Sequence, residues 1–135
     1  MFVVRAIQDK TLQKQICSIV KAEYKENALA YYAADLKEDG VEIDEFISIC
    51  QFYLKGDGEI VDLTSAAGRD EDEAVIVMLR AVMSFMHRCG AKFASFSQDA
   101  TSEWWLKKSG FLCQNGTYTM DLEKFYTSPC KFSEE

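Results

Sequence analysis

Apolar and polar positions follow one another along this chain in short runs, and these runs predict a regular mixture of strands and helices. Several segments are short and rich in β-branched or aromatic residues, a composition typical of strands. They are residues 2–7, 45–54, 59–65, 92–97, 111–113 and 117–120. Two other segments carry apolar residues at helical spacing. One follows Asp9, a residue type that caps helices, and the other runs from Asp70 to Met86.

Weaker signals complete the order of elements. Residues 28–36 stay open between two structures, because their alanines favour a helix and their tyrosine pair favours a strand. Residues 101–108 fit a short helix that ends at Gly110, and Asn115-Gly116 predicts a two-residue hairpin. Residues 121–125 fit a final helical turn. No repeat or linker interrupts the chain, so we expect one domain over residues 1–135 with the order β-α-β-β-β-α-β-α-β-β before that turn.

Composition and charge narrow the classes of function. The chain has 135 residues, of which 48% are apolar, and one proline, as expected for a folded domain with its own core. A net charge of −7 argues against nucleic acids and anionic membranes as partners. No run approaches the ~20 apolar residues of a membrane span, and Arg5 and Asp9 interrupt any signal-peptide pattern. We therefore expect a cytoplasmic protein.

The cysteines and the single histidine indicate neither a metal site nor a disulfide framework. The five cysteines are scattered along the chain, and no Cys-x-x-Cys pair occurs among them. A structural zinc site combines four cysteine or histidine ligands at characteristic short spacings. We therefore expect free thiols and no bound metal.

The segment from Gly58 to Gly90 carries the most chemical information. Its strand, Glu59–Ser65, enters a long helix through a loop of small residues, Ala66-Ala67-Gly68. A strand that opens through such a loop into a helix N-terminus can present backbone N–H groups to a phosphate. Here, however, the first turn carries the acidic run Asp70–Glu73, which would repel a phosphate. The alternative is a solvated helix start, where acidic side chains favour the helix dipole.

The order of elements resembles that of the GNAT superfamily, the acyl-CoA-dependent N-acetyltransferases. Two features carry the resemblance: the strand, small loop and long helix from Glu59 to Gly90, and the segment Ser102–Phe111. That segment, Ser-Glu-Trp-Trp-Leu-Lys-Lys-Ser-Gly-Phe, is similar to the family's short helix ending in a lysine-x-Gly-Phe step. The resemblance implies an α+β fold with a mixed, mostly antiparallel twisted sheet and helices on both faces. In that fold the central strands, residues 59–65 and 92–97, are parallel and splay apart.

The resemblance also implies acetyl-CoA as the cofactor and places it on this sequence. The pantetheine arm would pair with the backbone near Thr64 and Ser65, and the pyrophosphate would lie on amides between Gly68 and Ala74. Arg69 is the candidate cation for the pyrophosphate. Trp105, next to the position of the family's catalytic acid, is a further candidate contact of the cofactor.

Two departures from the family pattern weaken this expectation. The positions where the family's loop has glycines hold the segment Asp70–Val75, so binding of acetyl-CoA is expected to be weak or lost. The position where many members carry a tyrosine acid holds Leu106, which cannot donate a proton. An already deprotonated amine needs little more than orientation to react, so the missing acid lowers activity without excluding it.

Two functions therefore stay open. In the first, the protein moves an acetyl group from acetyl-CoA to an amine of a small molecule or peptide. Asp62 or Glu59 would be the general base, although strand carboxylates are often only solvated side chains. In the second, it is a non-catalytic GNAT-fold binding or regulatory module whose CoA site has decayed. In either case the helix residues 74–77 are apolar on all sides, which suggests a second contact such as a homodimer mate.

Overall fold

The computed structural model of the protein describes residues 1–69, 72–96, 108, 110–114 and 117–126. Strands and helices alternate along it much as the hydrophobic pattern predicts. The elements are β1 (Phe2–Ile7), α1 (Lys10–Val20), β2 (Leu29–Leu36), β3 (Ile43–Lys55), β4 (Asp57–Ser65), α2 (Glu73–Arg88), β5 (Phe93–Phe96), β6 (Leu112–Gln114), β7 (Thr117–Asp121) and α3 (Leu122–Tyr126).

The described strands form one seven-stranded sheet in the order β1-β2-β3-β4-β5-β7-β6. All neighbouring pairs are antiparallel except β4 and β5, which are parallel. The parallel pair follows from the connection between its strands, because a crossover through a long helix returns the chain in the same direction. The predicted α+β fold with a mixed, mostly antiparallel sheet is confirmed.

The described parallel pairing is short. It joins Gly58 to Ala94, Glu59 to Ser95 and Ile60 to Phe96, after which residues 97–107 lie outside the described residues. Beyond Ile60, β4 passes a β-bulge at Val61 and pairs with β3 from Asp62 to Ser65. Among the described strands, β3 is the only neighbour of residues 62–65.

Helices cover both faces of the sheet, as predicted. The alternation along β2 shows this, because Ala33 packs in the cluster beneath α2 while Tyr32 and Ala34 pack in the cluster beneath α1. Helix α2 contributes the largest share of the core through one apolar stripe. The buried residues of that stripe are Ala74, Val75, Met78, Leu79, Val82, Met83 and Met86. Val77, on the outer side of the helix, is exposed.

The structure decides two local questions that the sequence pattern left open or answered differently. Residues 28–36 form a strand, since β2 pairs on both sides, with β1 and with β3, and these pairings outweigh the helix preference of alanine. Helix α2 begins at Glu73 and not at Asp70, so the predicted start was three residues too early. The carboxylate of Asp72 accepts a hydrogen bond from the Ala74 N–H, which makes Asp72 the N-cap.

The described residues also bear on the predictions about cysteines, metal sites and membrane spans. The cysteines of the described residues, Cys17, Cys50, Cys89 and Cys113, are free, and burial raises the pKa of the Cys17 thiol to about 11. The described residues contain no group of His, Cys, Asp and Glu side chains that could hold a metal ion. None of the helices found in them is long and apolar enough to cross a membrane. Of the predicted helix over residues 101–108, residues 101–107 lie outside the described residues.

The close approach of α2 to β4 requires a glycine at position 58. A Cβ atom built on Gly58 would lie 2.3 Å from the sulfur of Met86, which is itself fully buried. We therefore expect Gly58→Ala to lower the free energy of unfolding by about 1–3 kcal/mol, as overpacked cores do. Chemical denaturation of the single variants Gly58→Ala and Met86→Val, and of the double variant, tests the cause. The two losses should be less than additive, because the shorter valine makes room for the new methyl group. Strict additivity would contradict this account.

Candidate active site

Asp62 lies in the second half of β4, and both oxygens of its carboxylate accept a hydrogen bond. Oδ1 accepts a hydrogen bond of 2.9 Å from the Thr64 hydroxyl, and Oδ2 accepts one of 3.0 Å from Nε2 of Gln51. Its side chain is on the α1 face of the sheet, and only 8% of the residue is exposed. The strand positions Asp62, and the two neighbours fix the direction of its carboxylate.

Gln51, in the middle of β3, connects Asp62 to the segment that follows α1. Its Nε2 donates to Asp62 and also to the Glu23 carbonyl oxygen at 2.8 Å. Its Oε1 accepts from the Lys25 backbone N–H at 2.8 Å and from Nε2 of Gln13 at 2.9 Å. Both donors and both acceptor positions of the buried amide are therefore used. Segment 21–28 is fastened to the sheet at the same point that holds the carboxylate.

The surroundings of Asp62 raise its pKa above the usual range of an aspartate. Burial is the main cause, since it disfavours the ionised form. The hydrogen bonds from Gln51 and Thr64 and the charge of Lys25 act in the opposite direction, and Glu23 adds to the increase. A carboxylate with a raised pKa is a better proton acceptor than an exposed one, as a general base must be.

Glu59, the second candidate base, occupies a different position on the same strand. It is half-buried and pairs with Tyr53 on β3 and with Ser95 on β5. At this point β4 and β5 are hydrogen-bonded neighbours. Of the two predicted carboxylates, only Asp62 lies beyond the described pairing of β4 with β5.

Thr64 and Ser65, the residues predicted to pair with the pantetheine arm, are the last two residues of β4 and pair with β3. The Ala66 N–H then donates to the Ile47 carbonyl at 2.7 Å, which holds the loop against β3. Gly68 is exposed and has φ of +80°, a conformation that a side chain would strain. The backbone of this loop can therefore approach a ligand closely at one point.

Arg69, the predicted partner of the pyrophosphate, already contacts three carboxylates. Its Nη2 lies 2.7 Å from Oδ2 of Asp72 and 2.8 Å from Oδ2 of Asp35, and its Nη1 lies 3.3 Å from Oε1 of Glu45. The hydrogen bonds that Arg69 donates to Asp72 and then to Asp35 raise the pKa of the guanidinium further above its normal high value. A phosphate that approaches Arg69 would compete with these three carboxylates for its N–H groups.

A carboxylate of the protein also binds the N-terminus of α2. Oδ1 of Asp72 accepts the Ala74 N–H at 2.9 Å, so a predicted cofactor-binding amide is already capped by a carboxylate. Ala74 itself is fully buried. The Arg69 N–H donates to the Ala66 carbonyl at 3.0 Å, and the Val75 N–H donates to the Asp72 carbonyl at 3.0 Å. Trp105, the remaining cofactor candidate, lies outside the described residues.

Several residues of this site were not found by sequence reasoning. Gln51 carried a usable signal, because it is the one strongly polar residue in the apolar run 46–54. Its burial in such a run indicates a satisfied polar contact. Asp35 and Glu45 carried none, since they meet Arg69 only through the pairing of β2 with β3.

Comparisons with known proteins identify the fold. No protein-family model matches the chain, and no curated protein sequence does. Solved structures do match. A GNAT family acetyltransferase from Brucella melitensis in complex with acetyl-CoA is 14% identical over 90% of this chain and 88% of its own, with a TM-score of 0.61. The ribosomal-protein-S18-alanine N-acetyltransferase from Escherichia coli is 8% identical over 90% and 94% of the two chains, with a TM-score of 0.61.

A third similar structure is the NatC complex bound to Gag peptide and CoA. It is 11% identical over 89% of this chain and 98% of the matched chain, with a TM-score of 0.65. At such identities the likeness concerns the fold. The chain has the GNAT fold, and the resemblance drawn from its sequence is confirmed at that level.

The raised pKa of Asp62 predicts how stability changes with pH. At pH values above the raised pKa, the folded protein carries this buried charge at a cost. As the pH falls through the raised pKa, the folded state takes up a proton before the unfolded chain does and gains stability. Asp62→Asn removes the charge and keeps an oxygen for Gln51. We expect it to melt a few degrees above the unmodified protein near neutral pH, and the difference to shrink as the pH falls.

Thermal unfolding followed by circular dichroism over a range of pH measures this difference. The exposed Asp44→Asn on β3 is the matched control and should leave the melting temperature nearly unchanged. A variant Asp62→Asn that melts lower than the unmodified protein at neutral pH would show that the ionised carboxylate stabilises the fold.

Proposed function

Since the chain has the fold of the GNAT acetyltransferases, we propose that it is an N-acetyltransferase that uses Asp62 as its general base and binds acetyl-CoA weakly. The acceptor is a small-molecule or peptide amine. The observation that carries this proposal is the position of Asp62: buried, oriented at both oxygens, and in the part of β4 that pairs with β3 alone among the described strands.

The base follows from the chemistry of the acceptor. An aliphatic amine is mostly protonated near neutral pH and must lose a proton before its nitrogen can attack a thioester. Asp62 can accept that proton, and its raised pKa brings it closer to the range in which a base is effective. Gln51 and Thr64 keep the carboxylate in one orientation while it does so. The protein's net charge of −7 favours a cationic acceptor.

The fit to acetyl-CoA has two parts. When bound, acetyl-CoA supplies the acetyl thioester. The backbone of residues 62–65, which pairs with β3 alone among the described strands, suits the pantetheine arm, which needs hydrogen-bonding groups along a strand edge. The loop suits the pyrophosphate poorly, because Arg69 is paired with carboxylates and the Ala74 N–H is capped by Asp72. Weak binding of the cofactor follows from this contrast.

A non-catalytic binding module is the second candidate function. The contacts of Arg69 with Asp35, Glu45 and Asp72 favour it, because they fill the pyrophosphate position with the protein's own charges. In that case the same contacts would serve only to fasten the loop to β2 and β3. The two functions differ in whether any amine is acetylated.

Activity distinguishes the two functions. Release of the CoA thiol from acetyl-CoA should be measurable with spermidine or a lysine-containing peptide as the acceptor. We expect Asp62→Asn to lower kcat by about 10²–10⁴-fold, as the loss of a general base does. The matched control is Asp44→Asn, which should retain full activity. In the unmodified protein kcat should rise with pH and show no falling limb, because Leu106 stands at the position of the family's acid.

Each other result has a defined meaning. Equal activity of Asp62→Asn and the unmodified protein would remove Asp62 from the chemistry. Absence of turnover with every amine tested, at saturating acetyl-CoA, would favour the binding module. A falling limb at high pH would show that a second ionisable group donates the proton to the leaving thiolate.

The charges of the loop predict the affinity for CoA. We expect a dissociation constant in the high micromolar range for the unmodified protein. Asp72→Asn keeps an oxygen for the Ala74 N–H and removes one charge, so it should tighten binding by about fivefold. The triple variant Asp70→Asn, Glu71→Gln, Asp72→Asn should tighten it further. Isothermal titration calorimetry measures both.

The control for this titration is Glu26→Gln, which makes the same change in net charge before the start of β2. An equal gain in affinity from Glu26→Gln would mean that overall charge, and not the loop, sets the affinity. Low-micromolar binding by the unmodified protein would contradict the prediction and would show that Arg69 exchanges its carboxylates for the pyrophosphate.

A further inference from the structure

A cavity of about 340 Å³ lies at the end of the sheet away from the loop that carries Arg69. It is lined by residues at the end of β1, at the start of α1 and at the start of β2, and by Phe85 in the last turn of α2. The loop with Arg69 meets the other end of β2, at Asp35, and the other end of α2, at Asp72. The cavity is therefore separate from that loop, while Gln13 and Gln51 connect it to Asp62.

The walls of the cavity are mostly apolar and partly aromatic. The rings of Tyr31, Phe52 and Phe85 form one cluster, with ring centroids 6.0 to 6.2 Å apart. Leu29, which also lines the cavity, is 45% exposed, although it is a large apolar side chain. A volume of this size is near the lower limit of the pockets that hold small ligands. It suits one aromatic ring with a short side chain.

The polar part of the cavity carries a cation without a counter-ion. The Lys10 ammonium donates to the carbonyl oxygen of Ala28 and to Oε1 of Gln13, which lies 3.2 Å away. Both partners are neutral, and no ion pair joins Lys10 to a carboxylate in the described part of the chain. Asp9, the carboxylate of the lining, already accepts the Thr11 N–H at 2.8 Å. Lys10 also begins α1, where the helix dipole favours an anion.

We propose that this cavity binds a small aryl-substituted carboxylic acid, whose ring packs against the cluster of Tyr31, Phe52 and Phe85 and whose carboxylate pairs with Lys10. This site is additional to the acetyltransferase site and does not depend on it. The ligand is recognised by two features together: an apolar ring that displaces water from the cavity, and a negative charge that the ammonium lacks in the protein alone.

A ligand bound in the cavity should be detectable through a chain of hydrogen bonds that leads from the cavity to Asp62. Gln13 lines the cavity, and its Nε2 donates to Gln51 at 2.9 Å, which in turn donates to Asp62 at 3.0 Å. A carboxylate that draws Lys10 away from Oε1 of Gln13 changes the first member of this chain of hydrogen bonds. The side-chain amide resonances of Gln13 and Gln51 should therefore respond to a ligand bound in the cavity.

Three probes with the same ring test the proposal by NMR titration: phenylacetate, 2-phenylethylamine and 2-phenylethanol. We expect phenylacetate to shift the resonances of Gln13, Ala30 and Gln51 saturably, with a dissociation constant in the millimolar range. The amine should cause no such shift, and the alcohol should bind more weakly than the acid. Lys10→Gln should weaken binding of phenylacetate by about tenfold, and Lys10→Arg should restore it.

Two further variants separate the cavity from general effects. Ala6→Leu fills the cavity from β1 without touching Lys10 and should abolish saturable binding. Lys14→Gln removes another positive charge of α1 outside the cavity and should bind as the unmodified protein does. The proposal is wrong if the amine binds as well as the acid, if Ala6→Leu binds normally, or if phenylacetate causes no saturable shift. None of these measurements requires acetyl-CoA or turnover.

Discussion

The parallel pairing of β4 with β5 joins the two halves of the sheet, and the candidate active site lies on β4 just beyond the described part of that pairing. Helix α2 imposes the parallel direction, because it carries the chain from the end of β4 back to the start of β5. Its packing leaves no room for a side chain at position 58 unless Met86 moves. Beyond Ile60, β4 pairs with β3 up to Ser65, and the Asp62 side chain lies on the α1 face of this part of the sheet.

A buried hydrogen-bond network holds Asp62 in place. Such a network is stable only when every polar group in it has a partner. Gln51 uses its whole amide, two donors and two acceptor positions, to join β3, β4, α1 and the segment after α1. A buried amide with one missing partner would cost more than its other bonds return. The same contacts therefore stabilise the covering segment and orient the carboxylate, and a change on either side of Gln51 affects both.

In the loop after β4, the protein's own carboxylates occupy the groups that could bind an anion, namely the Arg69 guanidinium and the N-terminus of α2. The GNAT fold offers a helix N-terminus to a pyrophosphate, and here Asp72 caps that terminus while Arg69 contacts Asp72, Asp35 and Glu45. Individual exposed ion pairs contribute little, but several carboxylates around one guanidinium form a network that an incoming anion must break. In this structure the fold is kept while the carboxylates of Asp35, Glu45 and Asp72 compete with any incoming anion for the Arg69 guanidinium.

The sequence by itself predicted most of the strands, the long crossover helix and, from the length of that connection, the parallel central pair, because hydrophobic periodicity and connection length depend only on local residues. It also selected Asp62 as a candidate base, without distinguishing it from Glu59. Tertiary structure decided what pairing and burial control. Residues 28–36 became a strand between two others, and the capping bond of Asp72 moved the start of α2 to Glu73. Arg69 met Asp35 and Glu45, which are distant in sequence and adjacent only in the sheet, and no local pattern records such a contact.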